Sequence, residues 1–430
     1  MLSSNAPLSD WLTWLETLSP TEINLGLERT SKVLQRLDLP RPAHVLLIAG
    51  TNGKGSSVAM ADALLRASGF CTGAYTSPHL NSYNERIVVD SVAASDAEII
   101  AAFETVDAAR GETELTYFEF GTLAALVVFA AANLDVWILE VGLGGRLDAT
   151  NAIEPTASLI TNVSLDHCDW LGKDVETIAL EKAGVMRPGI PTVFGDKNVP
   201  KSVLRQADAC AAVLLKAGSD FDIDVNADGR WSWRNGPSHV YAGLMPPGLA
   251  GEFQLANAAA VLMLLEAAGL SESMNADLIN KVLPGVSLTG RLQRLQVDGN
   301  EWLIDVAHNP AAAQALARTL NSMPPAGASF AIVGVLDDKD VKGLIGALAE
   351  HVDRWIAVTA DNYRALPANE LGRQIANLTG RPCFVADAVA SAIEFARRES
   401  SENDRILATG SFFTVGPVLD QLKTLSRSKT

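Results

Sequence analysis

At 430 residues, 48% of them hydrophobic and 20% charged, the chain has a globular composition and is too long for one comfortable core, so two domains are expected. Its 34 Lys and Arg against 50 Asp and Glu leave a net charge of -16, which disfavours nucleic acid or an anionic membrane as the main partner, because phosphate polymers need a basic face. The longest apolar run, Leu123 to Ala132, is far short of a membrane span, and MLSSNAPLSDW at the N-terminus lacks a basic flank and an apolar signal core, so a cytoplasmic protein with no membrane contact is expected.

Leu8 to Leu37 reads as amphipathic helix, interrupted around Ser19-Pro20, and Leu25-Gly-Leu-Glu-Arg29 marks a helix start. Val45 to Ala49 is a short apolar run rich in branched residues, the mark of a buried parallel strand. Gly50-Thr-Asn-Gly-Lys-Gly-Ser56 follows, and then Val58, Ala61, Leu64 and Leu65 recur at helical spacing. Strand, glycine loop and helix together make a phosphate site: glycines let the backbone aim its N–H groups at one anion, the helix N-terminus adds partial positive charge, and Lys54 adds a full one. The strict P-loop pattern fails, because Ile48 stands where its first glycine is needed and Gly55 follows Lys54; Ser56 is the nearest hydroxyl.

Cys71 to Tyr75 and Glu85 to Val89 read as strands, Asp96 to Ala109 and Phe118 to Ala132 as helices. Val136 to Leu139 is a further buried strand ending in Glu140. The loop after it, Val141 to Asn151, fails the dinucleotide pattern at Leu147. Leu159 to Thr161 resumes the sheet and leads to Leu165-Asp-His-Cys-Asp-Trp170. Thr177 to Ala183, carrying Lys182, is helical, and Thr192 to Phe194 is a strand. Residues 220 to 245 alternate Trp231, Trp233 and Tyr241 with polar residues, as a small antiparallel excursion does. Gln254 to Ala268 is a strong helix, and a boundary falls near Pro284 to Gln293. Beyond it the strands Trp302–Val306, Phe330–Val333, Arg354–Val358, Cys383–Val385 and Arg405–Ala408 alternate with helical stretches, a second, smaller and mainly parallel α/β layer. Cys71, Cys168, Cys210 and Cys383 have no C-x-x-C spacing and read as reduced, mostly buried thiols.

Open parallel sheets bind ligands beyond the carboxyl ends of their strands, and in the first domain those ends carry Lys54, Ser77, Glu140 and His167. Glu140 sits where a magnesium-holding acid is needed beside phosphates. Ser77 suits equally a hydroxyl ligand and a turn before Pro78. His167 runs against magnesium's preference for oxygen and reads as well as a hydrogen-bonded loop histidine. Lys182 has the spacing of an ordinary surface cation. In Asp305-Val-Ala-His-Asn-Pro310 the acid suits ribose hydroxyls and His308 a base or phosphate, while Asp and Asn also stabilise plain turns.

GTNGKGS at 50–56, SPHL at 77–80, NERI at 84–87, TYFEFGTLAAL at 116–126, LEVGLGGRLDATN at 139–151, LDH-DWLG around 165–172, EKAG at 181–184 and DVAHNP at 305–310 occur in that order. Together they resemble the folylpolyglutamate synthase family of the Mur-ligase superfamily, and most of all its bifunctional bacterial members, which are also dihydrofolate synthases. The resemblance runs from about residue 21 to 415. It implies a P-loop Mur-ligase-type central domain with a mainly parallel sheet, here 1–288, and a smaller Rossmann-like C-terminal α/β domain, 289–430, with ATP clamped between them.

It further implies that Thr51, Asn52, Gly53, Lys54, Gly55 and Ser56 hold the ATP phosphates, with Asn257, Arg291, Asp305 and His308 completing the nucleotide site. Ser77 and Glu140 would hold one magnesium ion and His167 a second, with Lys182 as a carbamate ligand. The pterin pocket would use Asn24, Thr116, Tyr117, Phe118, Glu119, Leu147, Asp148 and Ala149. Lys54, Lys182, Glu140 and His167 would carry catalysis. The implied substrates are dihydropteroate, tetrahydrofolate polyglutamates and L-glutamate, joined through an acyl phosphate by a monomer; the alternative is a monofunctional folylpolyglutamate synthase. A peptidoglycan-type Mur ligase is disfavoured because no UDP-binding domain precedes Val45, and a regulatory protein because Lys54, Glu140, His167 and Lys182 are all present. Three positions depart from the family pattern: Asn24 in place of an acid, Thr289 in place of proline, and Asp337 in place of histidine.

Overall fold

The apolar run at Val45 becomes β1, His44–Ala49, buried from Val45 onward. It joins β2 Thr72–Tyr75, β3 Ile87–Val89, β4 Val92–Ala93, β5 Val136–Glu140, β6 Ala157–Ile160, β7 Pro191–Phe194 and β8 Val213–Lys216 in an eight-stranded sheet of order β4-β3-β2-β5-β1-β6-β7-β8. Only the β2–β3 and β3–β4 pairings are antiparallel. Val45 lies opposite Trp137 of β5, and Ile48 opposite Leu159 of β6. The chain leaves β1 for β2 on one side and returns to β6 on the other. Strand order therefore reverses at β1, whose carboxyl end is where an open α/β sheet takes its ligand.

The computed structural model describes residues 6–19, 24–236, 239–297 and 299–427. They divide into two units: the first runs up to Val163 and adds Asp174–Pro247 and Ala256–Val286, while the second takes Ser164–Lys173, Gly248–Leu255 and the chain from Ser287 on. Helices Leu8–Thr17 and Glu28–Leu37 form in the amphipathic N-terminal stretch; Pro20, where a break is expected, lies outside the described residues. Helix Tyr117–Ala131 is buried on nearly all sides, as a helix apolar all round must be, and is started by a Thr116–Glu119 capping box. Phe120 of this helix packs on Phe103, and Phe103 on Trp11, with ring centroids 5.5 and 5.9 Å apart.

The strand expected from Glu85 begins only at Ile87. The Glu85 carboxylate instead accepts from the N–H groups of Leu80, Asn81 and Ser82 at 2.8, 3.1 and 3.0 Å, which winds Tyr83–Arg86 into a 3-10 turn. Helix Lys201–Cys210 and β8 were not anticipated. The antiparallel excursion is β9 Phe221–Val225, β10 Trp231–Asn235 and β11 His239–Leu244; its Pro237 and Ser238 lie outside the described residues. Trp233 fastens it to helix Phe253–Ala267 by donating its indole N–H to the Ala259 carbonyl at 3.1 Å.

In the second unit β12 Gln293–Val297, β13 Asn300–Ile304, β14 Ser329–Val333, β15 Arg354–Ala357, β16 Cys383–Val385 and β17 Arg405–Thr409 form a sheet of order β12-β13-β17-β14-β15-β16. Only the edge pair β12–β13 is antiparallel. Gln293, expected in a boundary loop, already opens β12. Both sheets are thus mainly parallel, as expected. The four cysteines are free thiols; against expectation Cys71 is exposed and the others only partly buried.

Candidate active site

The loop after β1 is shaped by glycines that nothing else could replace. Gly50 has φ +143°, and a Cβ there would stand 1.8 Å from the Thr161 hydroxyl oxygen. Gly53 has φ +86°, and a Cβ there would stand 2.7 Å from Oδ1 of Asn257. The tight packing that excludes a side chain at Gly53 is thus what brings Asn257 to the loop. Residues at the end of β6 hold the loop from below: Thr51 N–H donates to the Asn162 carbonyl at 3.0 Å, Asn52 N–H to the Asn162 side chain at 3.1 Å, and the Thr161 hydroxyl to the Asn52 carbonyl at 2.7 Å. Thr161 and Asn162 were not singled out from sequence, where nothing but their place after a strand marked them.

Helix Lys54–Ala67 starts directly on this loop, with Gly55 and Ser56 buried in its first turn. The Lys54 ammonium donates to the carbonyls of Gly50 and Thr51, both at 3.2 Å. Lys182, on helix Val175–Ala183, is 4% exposed and donates to the same Gly50 carbonyl at 3.0 Å, so it is no surface cation. Helix N-terminus and two ammonium groups concentrate positive charge where an anion would lie.

Glu140, at the carboxyl end of β5, is 4% exposed, and one of its oxygens accepts from the Ser77 N–H at 3.3 Å. Among the described residues no three His, Cys, Asp or Glu side chains gather as a metal-binding group. Ser77 and Glu140 nonetheless offer a hydroxyl and a buried carboxylate, the oxygen donors that suit a hard divalent cation.

The residues expected to hold a pterin also come together in the first unit. Glu119 accepts from the Thr116 N–H at 2.8 Å and pairs with Arg29 at 2.9 Å, and Arg29 donates to the Asn24 carbonyl at 2.6 Å. Phe118 lies over the loop after β5: a Cβ on Gly142 would meet its ring at 2.4 Å. Tyr117 is mostly buried, and burial raises its phenol pKa. In that loop the Asp148 carboxylate accepts from Leu143 N–H at 2.8 Å and from the N–H and hydroxyl of Thr150 at 3.0 and 2.6 Å. Burial pushes Asp148 above the usual carboxylate range, against the pull of these bonds. Leu147 and the buried Ala149 flank it.

The second unit gathers its own polar cluster. At the end of β13, Asp305 accepts from the N–H groups of Leu292 and Ala307 at 2.9 and 2.8 Å. Burial pushes its carboxyl up, with Arg291 pulling the other way. The Arg291 guanidinium lies 5.1 Å from the Phe412 ring centroid, and the His308 ring is 6.1 Å from the same ring. His167 has φ +50° and caps the short helix Cys168–Leu171. Its neighbour Asp166 is the hub: it meets Lys339 Nζ at 2.7 Å, Asn309 Nδ2 at 2.9 Å and His308 Nε2 at 3.3 Å. Burial acts to raise the Asp166 carboxyl, but the hydrogen bond and charge of His308, with His167 and Lys339, hold it far below the usual range. Phe412, Lys339 and Asp166 were given no role from sequence. Lys339 stood in the Asp337-Asp-Lys-Asp340 run, whose charge was the available signal.

The sequence matches the Mur ligase middle domain over residues 48–265 and the Mur ligase glutamate ligase domain over 290–412. It is 38% identical over 416 residues to the dihydrofolate synthase/folylpolyglutamate synthase of Escherichia coli (strain K12), covering 96% of this chain and 95% of that protein. An E. coli FolC structure in complex with DHPP and ADP superposes with a TM-score of 0.92 at 36% identity, over 100% of both chains. A bifunctional folylpolyglutamate synthase/dihydrofolate synthase with Mn, AMPPNP and L-glutamate bound has a TM-score of 0.89 at 38% identity, over 98% of this chain and 99% of that one. With matches of this length in both units, the chain belongs to the Mur ligase family, among its bifunctional dihydrofolate synthases/folylpolyglutamate synthases.

Proposed function

We propose that the chain is an ATP-dependent ligase that adds L-glutamate to dihydropteroate, forming dihydrofolate, and to folates that already carry glutamate. The observation that carries this reading is the loop at the end of β1, with Lys54 and Lys182 on the Gly50 carbonyl at 3.2 and 3.0 Å and Asn257 against Gly53.

A carboxylate is a poor electrophile and must be activated. The pteroate or folate carboxylate attacks the γ-phosphorus of ATP, ADP leaves, and an acyl phosphate forms. The glutamate amine then adds to the acyl carbon, its nitrogen gives up a proton, and phosphate departs with its bonding electrons, leaving the amide and hydrogen phosphate. Gly53, Gly55 and Ser56 present backbone N–H groups to the phosphates, Thr51 and Asn52, whose own N–H groups are held by Asn162, present their side chains, and Lys54 offsets the charge spread over the transferred phosphoryl group. Asn257, Arg291, Asp305 and His308 serve the rest of the nucleotide. Asn24, Thr116 to Glu119 and Leu147 to Ala149 form the pterin pocket, with Phe118 as its aromatic wall. A divalent metal, when bound, neutralises phosphate charge. Ser77, Glu140 and His167, with Lys182 as a carbamate, would hold two magnesium ions.

We assign residues 1–288 to ATP binding and 289–430 to the ligase C-terminal domain, in a cytoplasmic monomer; no helix among the described residues is long and apolar enough to cross a membrane. The deciding experiment is glutamate-dependent ADP release, with dihydropteroate and tetrahydrofolate supplied separately. Turnover with both is expected. Turnover with tetrahydrofolate alone reduces the reading to a monofunctional folylpolyglutamate synthase, and turnover with neither overturns it.

A further inference from the structure

The segment Ser164–Lys173 belongs to the second unit, yet its only regular structure is the four-residue helix Cys168–Leu171. One carboxylate of the segment ties it to Lys339, Asn309 and His308 of that unit. Oδ1 of Asp166 accepts from the Lys339 ammonium at 2.7 Å and from the His167 backbone N–H at 2.9 Å. Oδ2 accepts from the Asn309 side chain at 2.9 Å and faces Nε2 of His308 at 3.3 Å. The other ring nitrogen of His308 lies 2.9 Å from the Val306 carbonyl, so the imidazole is pinned at both ends. The Lys339 side chain is 6% exposed, with Asp338 Oδ2 its second anionic neighbour at 3.6 Å. Of the two carboxylates that pair with this enclosed ammonium, Asp166 is the closer.

We infer that Asp166 is a positioning residue of the ligase, fixing the His308 ring, the Lys339 ammonium and the backbone of His167 in one arrangement on the C-terminal unit. This rests on the ligase reading, which gives His308 to the nucleotide. Asp166 itself touches no reacting atom. Its effect runs through groups that must stand within a fraction of an ångström of their working positions, where a displacement of about 1 Å costs on the order of a hundredfold in rate. Asparagine at this position keeps the volume but turns one oxygen into a donor that faces other donors. Either Lys339 or the His308–Asn309 side is then left without an acceptor.

The test is steady-state kinetics on the full chain, with ATP and glutamate varied separately and the thermal midpoint measured for each variant. Asp166→Asn should lower kcat about a hundredfold while KM for ATP and glutamate moves less than about threefold. Lys339→Met should lose a comparable factor. The double variant should be no worse than the poorer single, because the two residues act as a unit. Glu301→Gln provides the structural comparison: it breaks the Arg405 ion pair of 2.7 Å in the same unit and should lower the thermal midpoint without a matching fall in kcat. If Asp166→Asn does not fold, Asp166→Glu decides, since it keeps the charge but displaces the ring. A folded Asp166 variant with kcat within about threefold of the parent overturns the inference. So does an equal loss of kcat in Glu301→Gln, because loosening of the unit would then suffice. A parent enzyme that releases no ADP in response to glutamate would instead sink the ligase reading, and that outcome is visible before any variant is made.

Discussion

Lys54 and Lys182 share one acceptor: both ammonium groups donate to the carbonyl oxygen of Gly50, from 3.2 and 3.0 Å. Lys54 donates to the Thr51 carbonyl as well, at 3.2 Å. The positive charge of the two lysines lies beside the N-terminus of helix Lys54–Ala67, where the helix dipole adds to it. An anion at this place would bind both lysines at once, as the proposed phosphate role of the loop requires.

Lys54→Ala should therefore remove ATP turnover and leave the fold standing. Lys54 is only partly buried, so the thermal midpoint should stay within a few degrees. The loss in kcat should be at least about a hundredfold, the scale on which preorganised charge acts at a transferred phosphoryl group. A folded variant with near-parental ADP release would refute the role.

Gly53→Ala should be costly for two separable reasons. Its φ of +86° strains any side chain, at roughly 1–2 kcal/mol, and the added methyl would stand 2.7 Å from Asn257 Oδ1. Pairing it with Asn257→Ala removes the collision but not the strain, so the double variant should regain part of the lost thermal midpoint. ADP affinity, measured by calorimetry, should stay low in both. Full stability in the single variant would mean the loop is not held as tightly as its contacts indicate.

These two residues also show what could be read from the sequence and what could not. Val45–Ala49, Val136–Leu139 and the glycine run declare a central strand and its phosphate loop, because branched apolar runs and glycine clusters act locally. The strand expected at Glu85 failed for the opposite reason: its carboxylate captures three backbone N–H groups, a choice that alternation of residue type does not reveal. Lys182 looked like a surface cation until the fold buried it against Gly50, 132 residues away in the chain. Asp166 likewise acquires its meaning from Lys339 and His308, which only the tertiary structure supplies.

Glu140→Gln keeps the size of a buried side chain and its bond from Ser77 N–H, but removes the charge that suits a divalent cation. Magnesium should then be needed at a clearly higher concentration for half-maximal rate, with a lower plateau. His167→Ala, which removes the other expected ligand, should raise the requirement in the same direction. If the magnesium titration is unchanged in both variants, neither residue holds the metal.

Tyr83 offers a stability test away from the chemistry. It is 3% exposed, and its hydroxyl, for which no hydrogen-bond partner is found among the described residues, occupies the space a side chain on Gly121 would need. Burial, with Tyr75 adding to it, raises its phenol well above 10.0. The unfolded chain loses that proton at about pH 10 and the folded one only at higher pH, so in this window the unfolded state binds fewer protons and stability falls as pH rises. Tyr83→Phe should abolish this contribution and shift the alkaline unfolding midpoint upward. At neutral pH it should be neutral or stabilising by up to about 1 kcal/mol, since a buried unpaired hydroxyl is a cost. A clear loss of stability at pH 7 would show that the hydroxyl has a partner after all.

Lys182 is the residue on which two chemistries can be told apart. As an ammonium it ties the Gly50 carbonyl from a site only 4% exposed, and its loss would loosen the loop. As a carbamate, formed by addition of carbon dioxide to the neutral amine with loss of one proton, it would present two oxygens sharing one negative charge, the donor type that magnesium prefers. Both predict that Lys182→Ala is nearly inactive, so activity alone does not separate them. Added short-chain carboxylates do. They can occupy the space of a missing carbamate and should restore part of the rate, whereas a missing ammonium calls for an added amine instead. Crystallographic density from protein with ATP and magnesium bound should show three further atoms on Nζ. A bare ammonium in that density, together with rescue by alkylamines and not by carboxylates, would make Lys182 an anchor of the phosphate loop and leave the metal to oxygen ligands such as Glu140.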